Sequence, residues 1–338
     1  MKKKRKNIKI LLICMFFVLF TLPNCCAAEE NGNLVYLGGQ SFGVKFYNDG
    51  VIVTELEDFY DGKGYVCPSK EAGLKVNDII KTANGRRINT NEDLHKAACE
   101  SKGCEIEFKV ERNGQTMDKT VKPEKNSEGM FLIGAWVKDS CAGIGTVTYY
   151  DSSHNYFAAL GHGICDPQTS ALLPLGSAEI LGATISSITK STAGKPGSLN
   201  GYFTEQTIGS LTKNTPLGVF GTFNENDCAN RPKLALAENN EVKTGKAQVY
   251  TTLDSNNIRC YDAEITQIRN KDKNCNENFV IKITDKTLLE KCGGIVQGMS
   301  GSPIVQNGKL AGAITHVFMN SPSEGYGVLA QNMASNYR

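Results

Sequence analysis

The chain has 338 residues, of which 40% are hydrophobic and 21% are charged, and its formal net charge at pH 7 is +2. This length predicts two globular domains of ordinary composition. The near-neutral charge, with no basic stripe carrying interleaved aromatic residues, argues against a nucleic-acid partner.

The first 28 residues have the pattern of a secretory targeting segment. A basic block at Met1–Lys6 precedes an apolar run at Ile10–Leu22, and the small residues Ala27-Ala28 follow. The apolar run is shorter than the roughly 20 residues that span a bilayer, so a cleaved signal and a retained anchor both stay open. Either alternative predicts an exported, extracytoplasmic protein, and a retained segment would make it membrane-associated.

The twelve cysteines do not suggest a disulfide framework. Three lie in or beside the targeting segment, and the other nine are irregularly spaced with no Cys-x-x-Cys pair, so we expect mostly free thiols. The four histidines show no metal-ligand spacing. The sequence therefore predicts no metal site and no cofactor.

Residues 29–125 are predicted to form a small α+β domain. Short strands at Ser41–Phe46 and Gly50–Val53 open it, and Asn84-Gly85 is a strong hairpin signal. Good capping residues at Asn89-Thr90 predict a helix that runs to about residue 101. Another hairpin is predicted at Asn113-Gly114.

The order of these pieces resembles a PDZ domain. The resemblance is carried by Ser41-Phe42-Gly43-Val44, by the segment 72–80 and by the turn at residues 84–85. It implies a peptide-binding module in which the peptide adds as a strand, while the loop amides of Phe42 and Gly43 receive a C-terminal carboxylate. Binding of internal segments, or a small β domain that only packs on its neighbour, are the alternatives.

Residues 126–338 are predicted to form a second, mainly β domain. Short strands with alternating hydrophobicity recur between glycine, asparagine and serine turns, a pattern that is typical of a sandwich or a barrel. The predicted strands are 145–149, 157–160, 178–188, 246–252, 261–268 and 279–284.

One glycine-rich loop in this domain predicts chemistry. The sequence Gly298-Met299-Ser300-Gly301-Ser302-Pro303 resembles the Gly-x-Ser-Gly-x-Pro loop of trypsin-like peptidases. Its glycines allow a tight turn that exposes the hydroxyl of Ser300, and the amides of Gly298 and Ser300 are the predicted oxyanion hole. Ser302 is the rival nucleophile, although it lacks the glycine two positions before it.

A serine nucleophile needs an adjacent base, and His162 is the candidate. It ends an apolar strand between two glycines, and a histidine before the serine is the chain order of chymotrypsin-like enzymes. His316 follows the nucleophile hairpin and is the candidate for a specificity pocket, where it would favour an acidic or amide side chain. The remaining histidines are His95, in the predicted helix, and His154, in a polar turn.

Taken together, the motifs resemble the SpoIVB peptidase family, the stage IV sporulation protein B of endospore formers. The resemblance is carried by Gly161-His162-Gly163, by the loop at 298–303, by Thr315-His316-Val317 and by the order of targeting segment, PDZ-like module and peptidase. It implies a chymotrypsin-like double β-barrel and a triad of His162, Asp285 and Ser300. Other candidates for the acidic member are Asp166, Asp227, Asp254 and Asp262.

The same resemblance implies a role in sporulation signalling. Family members are exported into the space between forespore and mother cell, cleave themselves, and cut a membrane-bound inhibitory partner. That cut releases an intramembrane protease that processes a sigma factor. The alternatives are a catalytically silent binding scaffold with the same fold and a general extracytoplasmic quality-control protease.

Overall fold

A computed structural model describes the chain from Leu34 onward, with short gaps. The described residues are 34–167, 169–223, 228, 230–269 and 272–337. The predicted targeting segment and the candidate Asp227 lie outside them. Across these ranges, no helix combines the length and the apolar character that crossing a bilayer requires. The nine cysteines among them are all free thiols.

The first part of the chain contains ten strands and two helices within the described residues. The strands are β1 (Leu34–Leu37), β2 (Ser41–Leu56), β3 (Phe59–Tyr60), β4 (Tyr65–Val66), β5 (Ile79–Ala83), β6 (Arg86–Arg87), β7 (Ile106–Arg112), β8 (Gln115–Val121), β9 (Glu124–Lys125) and β10 (Phe131–Leu132). The helices are α1 (Pro68–Glu71) and α2 (Asn91–Glu100). Thr90 caps α2 by accepting from the amide of Asp93, as the capping pattern predicts.

The second part contains twelve strands and two helices that the structure describes. The strands are β11 (Ala135–Asp151), β12 (Tyr156–Ala159), β13 (Leu175–Thr189), β14 (Ser198–Thr215), β15 (Gly218–Phe223), β16 (Lys233–Ala235), β17 (Gly245–Thr252), β18 (Ile258–Ile268), β19 (Phe279–Ile283), β20 (Pro303–Gln306), β21 (Lys309–Phe318) and β22 (Ser321–Leu329). The helices are α3 (Lys286–Cys292) and α4 (Ala330–Tyr337).

These strands close into two six-stranded barrels. The second barrel has the order β17-β18-β19-β22-β21-β20. In the first, the pairings run β2-β11-β12-β15-β14-β13 and return to β2. Each barrel encloses its own apolar cluster, and a third cluster with α4 lies against both. The predicted mainly β fold with a double β-barrel is therefore confirmed.

The PDZ-like part is built from the second half of β2 with β5, β7, β8 and α2. Its core includes Val51, Ile80, Leu94 and Phe108, all buried. The dipeptides predicted to turn the chain do so, because both residues of Asn84-Gly85 have positive φ, as a two-residue hairpin turn requires.

The predicted carboxylate-binding loop at Ser41-Phe42-Gly43-Val44 is wrong. These residues are buried and lie inside β2, where β11 pairs with one edge and β13 with the other. Both neighbours use the backbone groups that a peptide would need. Val44 also packs in the core of the first barrel, so burial of the apolar face favours a barrel strand over a loop.

No single position in the sequence separates the two domains, because they share strands. The strands within residues 34–48, predicted to open the PDZ-like domain, pair instead with β11 and β13 of the first barrel and with β16. Conversely, Ala135–Lys138 of β11 pair with Leu56–Ile52 in the PDZ-like half of β2. Two long strands, β2 and β11, thus run from one domain into the other.

Candidate active site

Two threonines of β11 hold the loop that carries Ser300. The side-chain hydroxyl of Thr146 donates to the carbonyl of Gly298 at 2.8 Å, and that of Thr148 donates to Gly301 at the same distance. The backbone N–H of Thr146 also donates to the carbonyl of Ser300 at 3.0 Å. A strand of the first barrel therefore holds the backbone of the loop that carries Ser300 in the second barrel.

This anchoring leaves two amides of the loop free. Within the described residues, no hydrogen bond takes the N–H of Gly298 or of Ser300. Because the Gly298 carbonyl is turned toward Thr146, the loop keeps two free N–H groups. These can donate to an oxyanion, as the donors of an oxyanion hole do. The hydroxyl of Ser300 donates to the carbonyl of Thr315 at 2.9 Å.

His162 lies on the turn that follows β12, and its ring is held by its own backbone. Nδ1 and the carbonyl of Gly163 are 2.8 Å apart, so Nδ1 carries the proton and donates it. The lone pair of Nε2 is then the one free to accept a proton. Residue 163 must be glycine because a Cβ there would lie 2.8 Å from the carbonyl oxygen of Thr215.

The surroundings of His162 keep it neutral. The pKa of His162 is lowered to about 4, chiefly by burial and also by the nearby His316, while the bond to the Gly163 carbonyl acts in the opposite direction. A neutral imidazole at neutral pH is the form that can accept a proton from serine.

We expect this low pKa to appear in the pH dependence of hydrolysis. Since protonation of His162 removes the base, kcat/KM should stay level as the pH falls from about 7 to 5. It should then drop along an acid limb centred near 4, below the usual 6.5. A pH profile with a small ester or anilide substrate measures this. An acid limb near 6.5 would contradict the buried, neutral state of the ring.

Ser300 and His162 face one cavity between the barrels. The cavity has a volume of about 860 Å³, and its walls are mainly apolar. Its apolar lining includes Val44, Ile144, Leu160, Ile164, Leu172, Ile295, Val296 and Val317. Ser300 and His162 share no hydrogen bond in this structure, so attack requires the serine hydroxyl to leave Thr315 and turn toward Nε2.

His316 lines the same cavity beside the base. Its ring centroid lies 4.9 Å from that of His162, with the planes 30° apart. Burial lowers the pKa of His316 as well. Its position is compatible with contact to a substrate side chain, and its role in specificity stays a prediction.

The structure does not bring Asp285 to His162, which contradicts the triad that the family resemblance implied. The Asp285 carboxylate caps α3, accepting from the amide of Leu288 at 3.0 Å. The residue follows β19 and opens a helix, a position at which aspartate is favoured for capping. In the described part of the chain, no carboxylate is hydrogen-bonded to His162.

The alternative aspartates have other partners too. Asp166 lines the cavity, but its carboxylate is buried against Lys138 at 3.2 Å and against Thr169. Asp254 pairs with Lys291 and Arg259. Asp262 is exposed and lies outside the lining of the cavity that holds His162. The Gly163 carbonyl therefore orients the imidazole in place of an acid.

Substitutions of Asp285 separate capping from catalysis. We expect Asp285→Asn to keep both stability and kcat/KM close to wild type, because asparagine caps helices about as well as aspartate. Asp285→Ala should cost about 1 kcal/mol of unfolding free energy. Urea unfolding and peptide hydrolysis measure the two effects. A fall in kcat of roughly 10⁴-fold in Asp285→Asn would show that Asp285 is the acidic member of the triad.

The remaining serine and histidine candidates lie elsewhere. Ser302 is 0% exposed and donates to Thr251, so it cannot meet a substrate. His154 pairs with Asp151 at 2.8 Å, and His95 lies on α2 near Cys99. Within the described residues, no group of three or more metal-ligating side chains occurs.

Sequence reasoning missed the threonines that hold the serine loop. Thr146 and Thr148 occupy alternate positions in the buried second half of β11 and are completely buried. Two buried hydroxyls on one face of a strand indicate polar partners across the interface. That alternation was the available signal, although it could not identify the carbonyls of Gly298 and Gly301 as the partners.

Comparisons with known proteins agree with this architecture. A family model described as SpoIVB peptidase S55 matches residues 129–334, more than half of the chain. A second model, described as PDZ domain, matches residues 44–122.

Two curated proteins share a short region with the chain. The putative zinc metalloprotease CPE1693 of Clostridium perfringens is 30% identical over 67 residues, which is 20% of this chain and 20% of that protein. The probable protease eep of Enterococcus faecalis is 37% identical over 67 residues, 20% of this chain and 16% of that protein. The chain thus matches a fifth or less of each relative.

Several solved structures are distant matches. The PDZ domain of the SdrC-like protein of Listeria monocytogenes is 16% identical with a TM-score of 0.22, covering 26% of this chain and 87% of that chain. The active form of the Rv3671c protease from M. tuberculosis is 14% identical with a TM-score of 0.33, covering 58% and 72%. The HtrA-type protease AlgW with a decapeptide is 9% identical with a TM-score of 0.33, covering 90% and 63%. Scores this low carry no information on substrate or partner.

Proposed function

Because this chain belongs to the SpoIVB peptidase S55 family and is a PDZ-containing serine endopeptidase, we propose that Ser300 is its nucleophile and His162 its base. The observation that carries this assignment is the common cavity. It joins the hydroxyl of Ser300, the imidazole of His162 and the unpaired amide of Gly298. Chemistry of this kind needs no cofactor.

Acylation begins when a substrate carbonyl enters beside Ser300. The hydroxyl leaves the Thr315 carbonyl and passes its proton to Nε2 of His162, while Oγ bonds to the substrate carbon. The N–H groups of Gly298 and Ser300 donate hydrogen bonds to the substrate oxygen and stabilise the negative charge that forms on it. Loss of one such donor costs roughly 3–4 kcal/mol.

The imidazolium then completes the cycle. His162 gives its proton to the leaving amine, which departs, and Ser300 remains as an acyl ester. Water then enters, loses a proton to Nε2 and bonds to the acyl carbon; the bond from that carbon to Oγ of Ser300 breaks as the imidazolium returns the proton to Oγ, and the acid product leaves. Throughout, the Nδ1–H of His162 stays on the Gly163 carbonyl, which fixes the tautomer but supplies less charge than a carboxylate would.

The biological role that we propose is narrow proteolysis in sporulation signalling. The enzyme would be exported through residues 1–28, cleave itself, and cut a membrane-associated regulatory protein, so that sigma-factor processing begins. Family membership and the basic, then apolar, pattern of the first residues support this role. The PDZ-like domain would select the substrate.

Covalent labelling tests the nucleophile. We expect a fluorophosphonate probe to label Ser300 in the full chain, as read by mass spectrometry of the labelled peptide. Ser300→Ala should abolish labelling and self-cleavage, whereas Ser302→Ala, in the same loop, should retain labelling. Labelling of another residue would move the nucleophile away from Ser300, and no labelling of folded protein would support the silent scaffold instead.

Substrate range tests the role. Narrow proteolysis predicts that casein survives while the protein cleaves itself, and broad casein degradation would favour a quality-control protease. In a sporulating host without its own copy, the wild-type gene should restore sigma-factor processing and Ser300→Ala should not. Restoration by both forms would contradict a proteolytic signal.

A further inference from the structure

One edge of β11 is open from the PDZ-like domain to the catalytic serine. β2 covers the opposite edge from Ala135, which pairs with Leu56, to Thr146, which pairs with Ser41, with breaks in register between Trp136 and Val137 and between Lys138 and Ser140. On the open edge, β12 begins to pair only at Val147. Among the described strands, none pairs with this edge between Ala135 and Thr146.

The open edge presents regularly spaced backbone groups. The N–H of Thr146 points to Ser300 and its carbonyl accepts from Leu160, so both face away from β2. Because backbone groups alternate between edges, those of Ile144 and Ala142 face the same way. The described residues offer these groups no partner. Both residues also line the cavity that holds Ser300.

At its other end, the same edge faces helix α2. The backbone N–H of Asn91 donates to the carboxylate of Asp139 at 3.0 Å, and a Cβ on Gly103 would lie 2.8 Å from the ring of Phe131. The helix therefore runs beside residues 131–139 in the opposite direction. Half-buried Ala97 and Val137 pack on the PDZ-like core here, which gives this end of the groove apolar walls.

The turn before β11 can receive a chain end. The carbonyls of Ile133 and Gly134 accept from Ser69 and Glu57, but no hydrogen bond of the described residues takes the N–H of Ile133 or Gly134. PDZ domains bind peptides by strand addition, and successive free backbone amides can hold a C-terminal carboxylate. These amides are therefore the candidates for the carboxylate site that is wrongly predicted at residues 41–44.

The carboxylate site at one end of the open edge and Ser300 at the other together fix the direction of the bound peptide. A carboxylate at the start of β11 means that the added peptide runs antiparallel to the strand. Its residues then pass from the Ser300 end toward Gly134, so they are the residues that follow the scissile bond. Ten residues lie from Ala135 through Ile144, and an added strand pairs with them one to one, apart from bulges.

We propose that a protein substrate adds to this one edge of β11, with its scissile bond at Ser300 and its free, apolar C terminus at the Ile133–Ala135 turn. The enzyme then cuts about 10–12 residues before a chain end. This inference rests on the proposed function, since it takes Ser300 as the nucleophile. It adds a rule for the distance between the cut and the C terminus of the substrate.

Peptides of graded length test the rule. We would incubate the full chain with a mixture of unstructured peptides of about 24 residues that have free C termini, and map the cuts by mass spectrometry. Cuts should cluster about 10–12 residues before the end. When three residues are added at the C terminus of one good substrate, the preferred cut should move three residues. Cuts that keep their sequence position would overturn the proposal.

Two further changes test the contacts. Amidation of the C terminus should lower kcat/KM about tenfold or more, because it removes charge-assisted hydrogen bonds. Ala142→Pro removes one N–H from the open edge, where proline is tolerated. It should lower kcat/KM for the long peptide about fivefold more than for a p-nitroanilide, which has no residues after the cut. Ala142→Val keeps the N–H, so any loss of kcat/KM that it shares with Ala142→Pro is assigned to the side chain and subtracted.

The outcomes separate this inference from the proposed function. If Ser300→Ala still cleaves the peptides and the fluorophosphonate does not label Ser300, the nucleophile assignment itself fails. If cleavage depends on Ser300 but ignores both amidation and distance from the chain end, only the length rule fails.

Discussion

Replacing His162 by alanine is expected to lower kcat for peptide hydrolysis by roughly 10⁴–10⁶-fold, because the serine loses its proton acceptor. The residual rate comes from the two oxyanion amides, which the substitution leaves in place. Since Thr146 and Thr148 hold the Ser300 loop independently of the imidazole, the fold should survive.

The measurement is single-turnover hydrolysis of one peptide by wild type and variant at equal, verified concentrations of folded protein. His154→Ala is the matched control, because His154 pairs with Asp151 on a polar turn away from the cavity. It should hydrolyse the peptide at the wild-type rate. A fall of less than about tenfold in His162→Ala would show that another group accepts the serine proton.

Gly301→Ala is expected to be the most damaging substitution for the fold of the site. Gly301 has φ of +91°, and a Cβ there would lie 2.0 Å from the carbonyl oxygen of Thr146 and 2.4 Å from the amide nitrogen of Leu160. Both obstacles are backbone atoms, so no side chain can move to relieve the contact. Strain and overpacking together should cost about 2–6 kcal/mol.

Urea unfolding followed by tryptophan fluorescence and circular dichroism measures this cost. Gly308→Ala is the matched control in the adjoining hairpin, because Gly308 also has positive φ (+77°) but nothing lies within 4 Å of its added Cβ. It should lose only about 1 kcal/mol. Equal losses in the two variants would contradict the close approach of the barrels at Gly301.

The close contact at Gly301 also bears on how the two domains communicate. β11 reaches this contact through Thr146 and Thr148, and its first residues lie in the PDZ-like sheet. A peptide that orders the open edge of β11 would therefore bind the same strand that holds the oxyanion loop. Peptide binding at the PDZ-like end and the position of the Ser300 loop therefore depend on the same strand, β11.

Local sequence patterns determined much of this protein. The Gly-x-Ser-Gly-x-Pro loop, the Gly-His-Gly turn and the Asn-Gly hairpins specify conformation through residues three or four positions apart, so they could be interpreted without a fold. The alternation of apolar residues likewise indicated the strands of both barrels, because burial of one strand face has a period of two.

Only the tertiary structure decided which residues meet across long distances in the chain. The sequence pattern at Ser41–Val44 suits a loop or a strand equally, and pairing with both β11 and β13 made it a barrel strand. Asp285 could serve as acid or cap by its local pattern, and only the fold left it without a hydrogen bond to His162. The Gly163 carbonyl and the open edge of β11 are backbone features with no residue signature. Their roles depend on whether the fold places a hydrogen-bond partner beside these backbone groups.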